Sequence, residues 1–549
     1  MKKHLLLIAL LILTQYNLFA QTIVNKSGSI TSSETWTKNN HYLLTGFVYV
    51  VAPAVLTIEA GTVIKGDKTT KGSLIIEKGA KIMAMGTETA PIVFTSNLAK
   101  GSRDAGDWGG VIILGNGPTN QTNPTIEGGV ARSYGGTNVN DNSGVFKYVR
   151  IEFPGIAFTA DNEINGLTLG GVGKETEIHH VQVSHSGDDS FEWFGGNVNA
   201  KYLIAYSGLD DDFDTDFGYS GNVQYGLVMR DKDVSDIGTT ASPGASNAFE
   251  SDGDANGANS TPLTEAKFAN ITVFGPLATS ASSLTGQGAN YRRALHIRRN
   301  SSLSVYNSVF MGYPIGLFID NSGTRFVSEN IQGGKLQFMN NLISGTKTVA
   351  DTLKYDIKTS TYTKTELDNW FRTSMNKAIA ENSFLGLPTI QGSANFFKSP
   401  TFIPSVGSMV LTGGGALPTG FEASTYRGAF NTTDWTTGWA NFDPQNFDYS
   451  VVGGPTTGIN DPSETNLSVV ASPNPIEVST QISYTLSTSS IVNIDVYDAT
   501  GNLVVKLENG SKAAGQYSAE FNASGLASGL YFAKVSAGKV VKTIKLSVR

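Results

Sequence analysis

Cysteine is absent from all 549 residues. Disulfide staples and thiolate-ligated metals are therefore excluded, and the chain must be held by a large core or by repetitive stacking. Basic charge is also scarce: 40 Lys and Arg face 47 Asp and Glu, a net charge of −7. That balance excludes nucleic acid as a partner, because binding phosphates needs a basic surface. After the N-terminus no apolar run reaches the roughly 18 residues that would suggest a membrane span. Helical periodicity is nearly missing before residue 360. What is abundant is glycine, 61 residues, alongside frequent Asn, Ser and Thr, which suits a β-rich extracellular protein with many turns.

The first 20 residues carry Lys2 and Lys3, then an apolar stretch from Leu5 to Leu13, then the junction Ala20-Gln21. The run is too short to cross a bilayer and has the order of a secretory signal peptide removed at that junction. Beyond it, short apolar-alternating runs recur between turn residues, among them residues 56–64 (LTIEAGTVI), 146–152 (FKYVRIE), 268–274 (FANITVF) and 303–310 (LSVYNSVF). These read as strands.

Residues 180–196 (HVQVSHSGDDSFEWFGG) superpose on residues 201–218 (KYLIAYSGLDDDFDTDFG) once Leu209 is taken as an insertion. The period, about 22 residues, is that of a solenoid coil and too short for a propeller blade. Residues 21–360 are predicted to form a right-handed parallel β-helix passenger. Residues 365–385 place Leu367, Trp370, Phe371, Met375 and Ile379 near helical spacing. With the aromatic-rich stretch holding Trp435, Trp439, Phe442 and Phe447, residues 361–452 read as a helical and loop-rich cap on the end of the solenoid. Residues 453–466 (GGPTTGINDPSETN) have the composition of a linker. Residues 467–549 offer six or seven short strands, an immunoglobulin-like β-sandwich.

That last segment carries a family resemblance. Ser472-Pro473-Asn474-Pro475, Val496-Tyr497-Asp498 with Gly501, Gly515, Leu526-Ala527-Ser528-Gly529-Leu530-Tyr531 and the closing Lys542-Thr543-Ile544-Lys545-Leu546 resemble the C-terminal sorting domain of the Bacteroidota type IX secretion system. The resemblance implies recognition by that secretion machinery and a destination outside the cell or on the outer-membrane surface. It also implies removal of the tail and either release or attachment to surface lipopolysaccharide. The passenger resembles uncharacterised secreted β-helix proteins of such bacteria, which brings no activity with it.

Chemistry concentrates in one acidic ladder: Asp188, Asp189, Glu192, Asp210, Asp211, Asp212, Asp214 and Asp216 fall on two adjacent coils. Stacked carboxylates raise one another's pKa or demand a cation, and an all-oxygen donor set suits Ca²⁺. Zinc is disfavoured, since His179 and His180 are expected on opposite faces of a strand. The string Asp211-Asp212-Phe213-Asp214 is similar to the acidic strings of some calcium-dependent pectate lyases, and that resemblance implies a base, for which Lys232 and Arg230 on the next coil are the candidates. Trp193, Arg298 and Arg299 are candidate glycan ligands through stacking and bidentate pairing. Phe194 and Tyr219 are further stacking surfaces, and for these two and Trp193 coil-interior packing is an equal alternative. Arg292 and Arg293 complete the basic cluster, for which pairing with the surplus acids of neighbouring coils is the favoured reading. Asp351-Thr352-Leu353 fits a short bacterial O-glycosylation pattern.

Three classes of function stay open. The first is a surface or secreted protein binding polysaccharide or another surface partner. The second is a calcium-dependent lyase or another carbohydrate-active enzyme, and the third is a structural spacer.

Overall fold

The computed structural model describes residues 23–159, 162–238, 244–356, 362–388, 400–451, 468–486, 490–513, 515–537 and 540–549. The signal-peptide assignment at 1–20 and the linker at 453–466 lie outside them. The chain divides into two compact units, residues 1–458 and 459–549.

In the first unit strands pair in parallel from coil to coil, forming among the described residues a continuous 26-stranded sheet wound into a β-helix. Position-for-position pairing stacks like on like. Leu167, Phe191, Phe213, Phe249, Leu295 and Leu317 follow one another in register along the interior, and all six are fully buried. Successive coils lie about 4.8 Å apart, so these side chains fill the core as ladders and every strand hydrogen bonds to its neighbours.

A second ladder stands at a bend. Tyr148, His180, Tyr202, Tyr225 and Asn270 all have φ between 48° and 62°, and pairing skips each of them. Asn tolerates this left-handed backbone, whereas Tyr resists it. Ring stacking offsets that strain: Tyr148 on His180 at 4.3 Å, His180 on Tyr202 at 4.4 Å and Tyr202 on Tyr225 at 4.9 Å between centroids.

Here the expectation of an end cap at 361–452 needs correcting. The helix Lys364–Thr373 does sit on the last coil, with Phe371 stacked on Phe338 and a capping box between Thr363 and Glu366. Residues 400–449 instead run back along the flank of the solenoid. They cover an apolar outer face made by Ile204, Tyr206, Leu227, Met229, Phe274 and Val309, using Phe402, Phe430, Trp439 and Phe442. These outward side chains are apolar and the solenoid interior covers only the other side of their strands, so the strap removes them from water.

Amide side chains clamp this strap. Gln182 donates to the Asn441 carbonyl (2.7 Å) and accepts from its N–H (2.8 Å). Gln224 does the same to Glu422 and Asn307 to Gly415. Near the strap's end, buried Arg150 bonds the Trp439 carbonyl and the Tyr449 hydroxyl, and Tyr449 donates to Glu152. Thr352, the residue of the glycosylation pattern, is buried at 4% exposure and its carbonyl accepts from Leu317, so no modifying enzyme reaches it in the folded protein.

The second unit is a seven-stranded antiparallel sandwich: a three-stranded sheet (Ser468–Ser472, Ser479–Leu486, Gly515–Asn522) facing a four-stranded one (Ser490–Asp498, Leu503–Lys512, Gly529–Ala537, Val540–Val548). Alternate residues such as Ile482, Tyr484, Val492, Ile494, Val496 and Val535 fill its core.

Trp439 is fully buried and donates its indole N–H to the Trp435 carbonyl at 2.8 Å. Trp439→Ala is expected to cost about 3–5 kcal/mol of passenger stability in urea unfolding, the usual result of emptying such a site. A loss below about 1 kcal/mol would show that the strap is not an integral layer.

Candidate acidic groove

The face that carries the ladder is built by the strands Leu167–Gly170, Phe191–Phe194, Phe213–Asp216, Phe249–Ser251 and Arg293–Ile297. On each, the residue after the buried Leu or Phe points outward. Register then aligns Thr168, Glu192, Asp214, Glu250 and His296 in one outward column. The turns leading into these strands add a second column: the Asp211 N–H donates to Asp189 Oδ1 (2.8 Å), and the Asn247 N–H donates to Asp211 Oδ1 (2.5 Å). A groove of about 340 Å³ lies over both columns, lined by Glu127, Glu163, Asp188, Asp189, Glu192, Asp210, Asp211, Asp214, Asp236 and Glu250, with Asn165 and Arg298.

Two sets of three carboxylates converge within it. One oxygen from each of Asp188, Asp189 and Asp210 lies within 4.8 Å of the others, and so does one from each of Asp189, Glu192 and Asp214. Asp189 belongs to both sets. Two ionised carboxylates 4 Å apart repel by about 4 kcal/mol at an effective dielectric of 20. Burial first, and this repulsion second, push Asp188, Asp189, Glu192, Asp210 and Asp214 well above the usual carboxylate range. Asp211 is pushed to about 7 by burial and Glu250, against the pull of its Asn247 hydrogen bonds. Asp188, Asp210 and Asp214 keep some solvent contact, whereas Asp189, Glu192 and Asp211 are buried.

Hydrogen bonding relieves part of the crowding. The Asn165 amide donates to Glu127 (3.0 Å) and also to Glu192. Arg298 pairs with Glu250 and with Asp252 (2.7 Å), and His296 bridges Glu250 (3.2 Å) and Asp320 (3.0 Å). Glu250 differs from the triad acids: burial acts to raise it, yet His296 and Arg298 hold it below the usual value. Asp214 Oδ1 is shut off from solvent without a hydrogen-bond partner among the described residues.

The structure redistributes several residues nominated from the sequence. Asp212 turns inward and pairs with Arg230 at 3.0 Å, both side chains fully buried, so neither faces the groove. Arg230 therefore has no access to a substrate as a base. Lys232 is 53% exposed, paired with Asp233 and absent from the groove lining. Asp216 is on the outward side of its strand but lies beyond the lining, in the field of Asp252 and the Arg298–Arg299 pair. Trp193 is fully buried and stacked on buried Tyr219 at 5.3 Å, which removes both as sugar platforms. Phe194 packs beside Tyr134 in a separate apolar cluster.

Arg299 pairs with Asp252 at 2.6 Å, Arg293 lies over the Phe318 ring and Arg292 bonds the Ala289 carbonyl. His179 and His180 share one face, their Nδ1 atoms 2.7 Å apart, because the left-handed backbone at His180 breaks the strand alternation.

Four lining acids escape a sequence reading. Glu250 carries a visible signal, since Phe249-Glu250-Ser251 repeats the Phe-acid step of Phe191-Glu192 and Phe213-Asp214. An insertion lengthens that coil to 36 residues and hides the period. Glu127, Glu163 and Asp236 come from segments outside the repeat, and nothing local marks them.

Residues 28–385 match the family described as a pectate-lyase-like β-helix domain, and residues 471–549 match a secretion-system C-terminal sorting domain. No curated protein matches the chain. Among solved structures, the enzymatically active domain of tailspike protein 4 of bacteriophage CBA120 is similar at 10% identity and a TM-score of 0.25, covering 93% of this chain and 63% of that one. The Dettilon tailspike protein follows at 10% identity and a TM-score of 0.19, covering 96% and 85%. The chain thus spans less than two thirds of the first of these tailspike chains.

Raised carboxyl pKa values fix how stability depends on pH. A carboxyl that holds its proton more tightly when folded stabilises fully below its unfolded value of about 4, and that contribution is lost as pH rises through the folded value. For Asp211 the folded value is about 7. In chelator, the melting temperature of the passenger should fall as pH rises from 5 to 8. A flat or rising profile would contradict the crowding of the groove acids.

Proposed function

We propose that this chain, which belongs to the pectate-lyase-like β-helix family and ends in the C-terminal sorting domain of the type IX secretion system, binds Ca²⁺ in its acidic groove and, through the ion, an anionic polysaccharide. The sorting domain directs the protein to secretion or to the cell surface and implies interaction with the secretion machinery. Signal-peptide removal after Ala20, and release or attachment to surface lipopolysaccharide, belong to the same proposal.

The observation that carries the reading is the pair of carboxylate triads sharing Asp189. Ca²⁺ takes six to eight oxygen ligands at about 2.3–2.6 Å, and the groove offers oxygens alone where the triads meet. An unpartnered buried oxygen on Asp214 fits the same reading, since such an atom is costly unless something satisfies it. Bound Ca²⁺ would supply positive charge that favours the ionised acids and attracts a sugar carboxylate. Without an ion the ten described lining acids repel a polyanion, and with Trp193 buried no aromatic ring among the described residues faces the groove to stack on a neutral sugar.

Binding is preferred to elimination because neither nominated base reaches the groove: Arg230 is sealed in the interior, and Lys232 lies outside the lining.

Calcium titration by calorimetry, paired with melting curves in Ca²⁺ and in chelator, tests the ion. Free Ca²⁺ at 100 times its Kd should add about 2.7 kcal/mol of stability, and Asp189→Asn should weaken binding at least tenfold. Equal melting temperatures in Ca²⁺ and chelator for the unmodified protein would refute the site. Affinity electrophoresis through polygalacturonate and through a neutral glucan tests the ligand, with retardation expected only in the acidic polymer and only with Ca²⁺. Unsaturated products appearing in ultraviolet absorbance would return the reading to elimination.

A further inference from the structure

We infer that Arg230 is a positioning residue for the groove, acting on both carboxylate triads through the peptide that joins Asp210 to Asp211. The inference rests on the calcium reading of the groove and deepens it.

Arg230 follows directly on the strand Asn222–Met229, and its side chain is fully buried, with the guanidinium over the Tyr291 ring at 4.9 Å. Three of its bonds go to one turn. Its Nη2 donates to the Leu209 carbonyl (3.2 Å) and to the Asp210 carbonyl (2.7 Å), and its Nη1 donates to Asp212 Oδ1 (3.0 Å). This is the turn that must send Asp210 and Asp211 outward to the groove while Asp212 turns in.

The Asp210 carbonyl and the Asp211 N–H are the two ends of a single peptide unit. At one end the carbonyl accepts from Arg230, and at the other the N–H donates to Asp189 Oδ1 at 2.8 Å. A carbonyl held by a cation polarises its own N–H and strengthens the bond that N–H makes. Arg230 therefore fixes the carboxylate of Asp189, the member common to both triads, and fixes the backbone that carries Asp210.

Stability alone is a weak reason for such a residue. A buried ion pair is often replaceable by apolar groups without loss, since desolvating the charges offsets their attraction. What an apolar replacement lacks is the fork that holds two carbonyls and a carboxylate in one plane.

The test uses the full chain and measures Ca²⁺ affinity by calorimetry, Tb³⁺ luminescence as a spectroscopic readout of the occupied site, and melting in chelator. Arg230→Met alone would strand Asp212 in the interior, so Arg230→Met is combined with Asp212→Asn. The double variant should lose at least tenfold in Ca²⁺ affinity, about 1.4 kcal/mol, at a temperature where its melting curve in chelator shows it folded. Asp212→Asn alone, which keeps an acceptor for the guanidinium, should bind as the unmodified protein does. Arg230→Lys, with its charge kept but its fork lost, should fall between, and it keeps the inference testable if the double variant does not fold.

Unchanged affinity in the double variant, or in Arg230→Lys when the double variant does not fold, would overturn the positioning role while leaving the calcium reading intact. Absence of Ca²⁺ binding by the unmodified protein would overturn both.

Discussion

Each coil of this protein must lie about 4.8 Å from the next, because the backbone N–H and C=O groups of parallel strands pair only at that spacing. A side chain is therefore always beside the one at the same position in the adjacent coil. Inside the solenoid this favours Phe on Phe and Leu on Leu, as in the column from Leu167 to Leu317. On the acidic face the same spacing forces Glu192, Asp214 and Glu250 together. The groove is thus held in a repulsive arrangement by a backbone stabilised elsewhere. Asn165, Asn247, Arg298 and His296 each relieve part of that repulsion. The convergence on Asp189 is where a cation would relieve the rest.

The second constraint concerns the outside. Outward side chains near the ends of the strands Ala200–Tyr206, Asn222–Met229 and Lys267–Phe274, namely Ile204, Tyr206, Leu227, Met229 and Phe274, are apolar, and a solenoid has no second sheet to cover them. The returning strap from 400 to 449 provides that layer. Its registration depends on the side-chain amides of Gln182, Gln224 and Asn307, which present a donor and an acceptor together and so imitate a strand edge. The buried Arg150–Glu152–Tyr449 cluster ties down the end of the strap.

Function divides along the same line as the fold. The C-terminal sandwich matches a secretion-system sorting domain, whereas the described residues that line the groove all belong to the β-helix. The β-helix belongs to the pectate-lyase-like family, and a shared fold does not by itself name a reaction. What distinguishes this groove is its lining, which among the described residues holds ten acids, one Arg and no aromatic ring. That lining is what the proposal of an ion-mediated acidic glycan rests on.

The sequence by itself determined whatever repeats or is local. The 22-residue step from Phe191-Glu192 to Phe213-Asp214 marks a coil, and the run of turn and strand motifs after residue 467 marks the sandwich. The acidic ladder was legible for Asp188, Asp189, Glu192, Asp210, Asp211 and Asp214, because stacking follows from the period. Only the tertiary structure decided which way individual side chains face. Asp212 and Trp193 turn inward because two-residue alternation has a phase that the period leaves open, and His180 turns outward because one left-handed residue resets that phase. Glu127, Glu163 and Asp236 join the groove from segments with no repeat, and the strap crosses hundreds of residues of sequence to reach its partners. Such contacts depend on where the coils end in space, which no local pattern encodes.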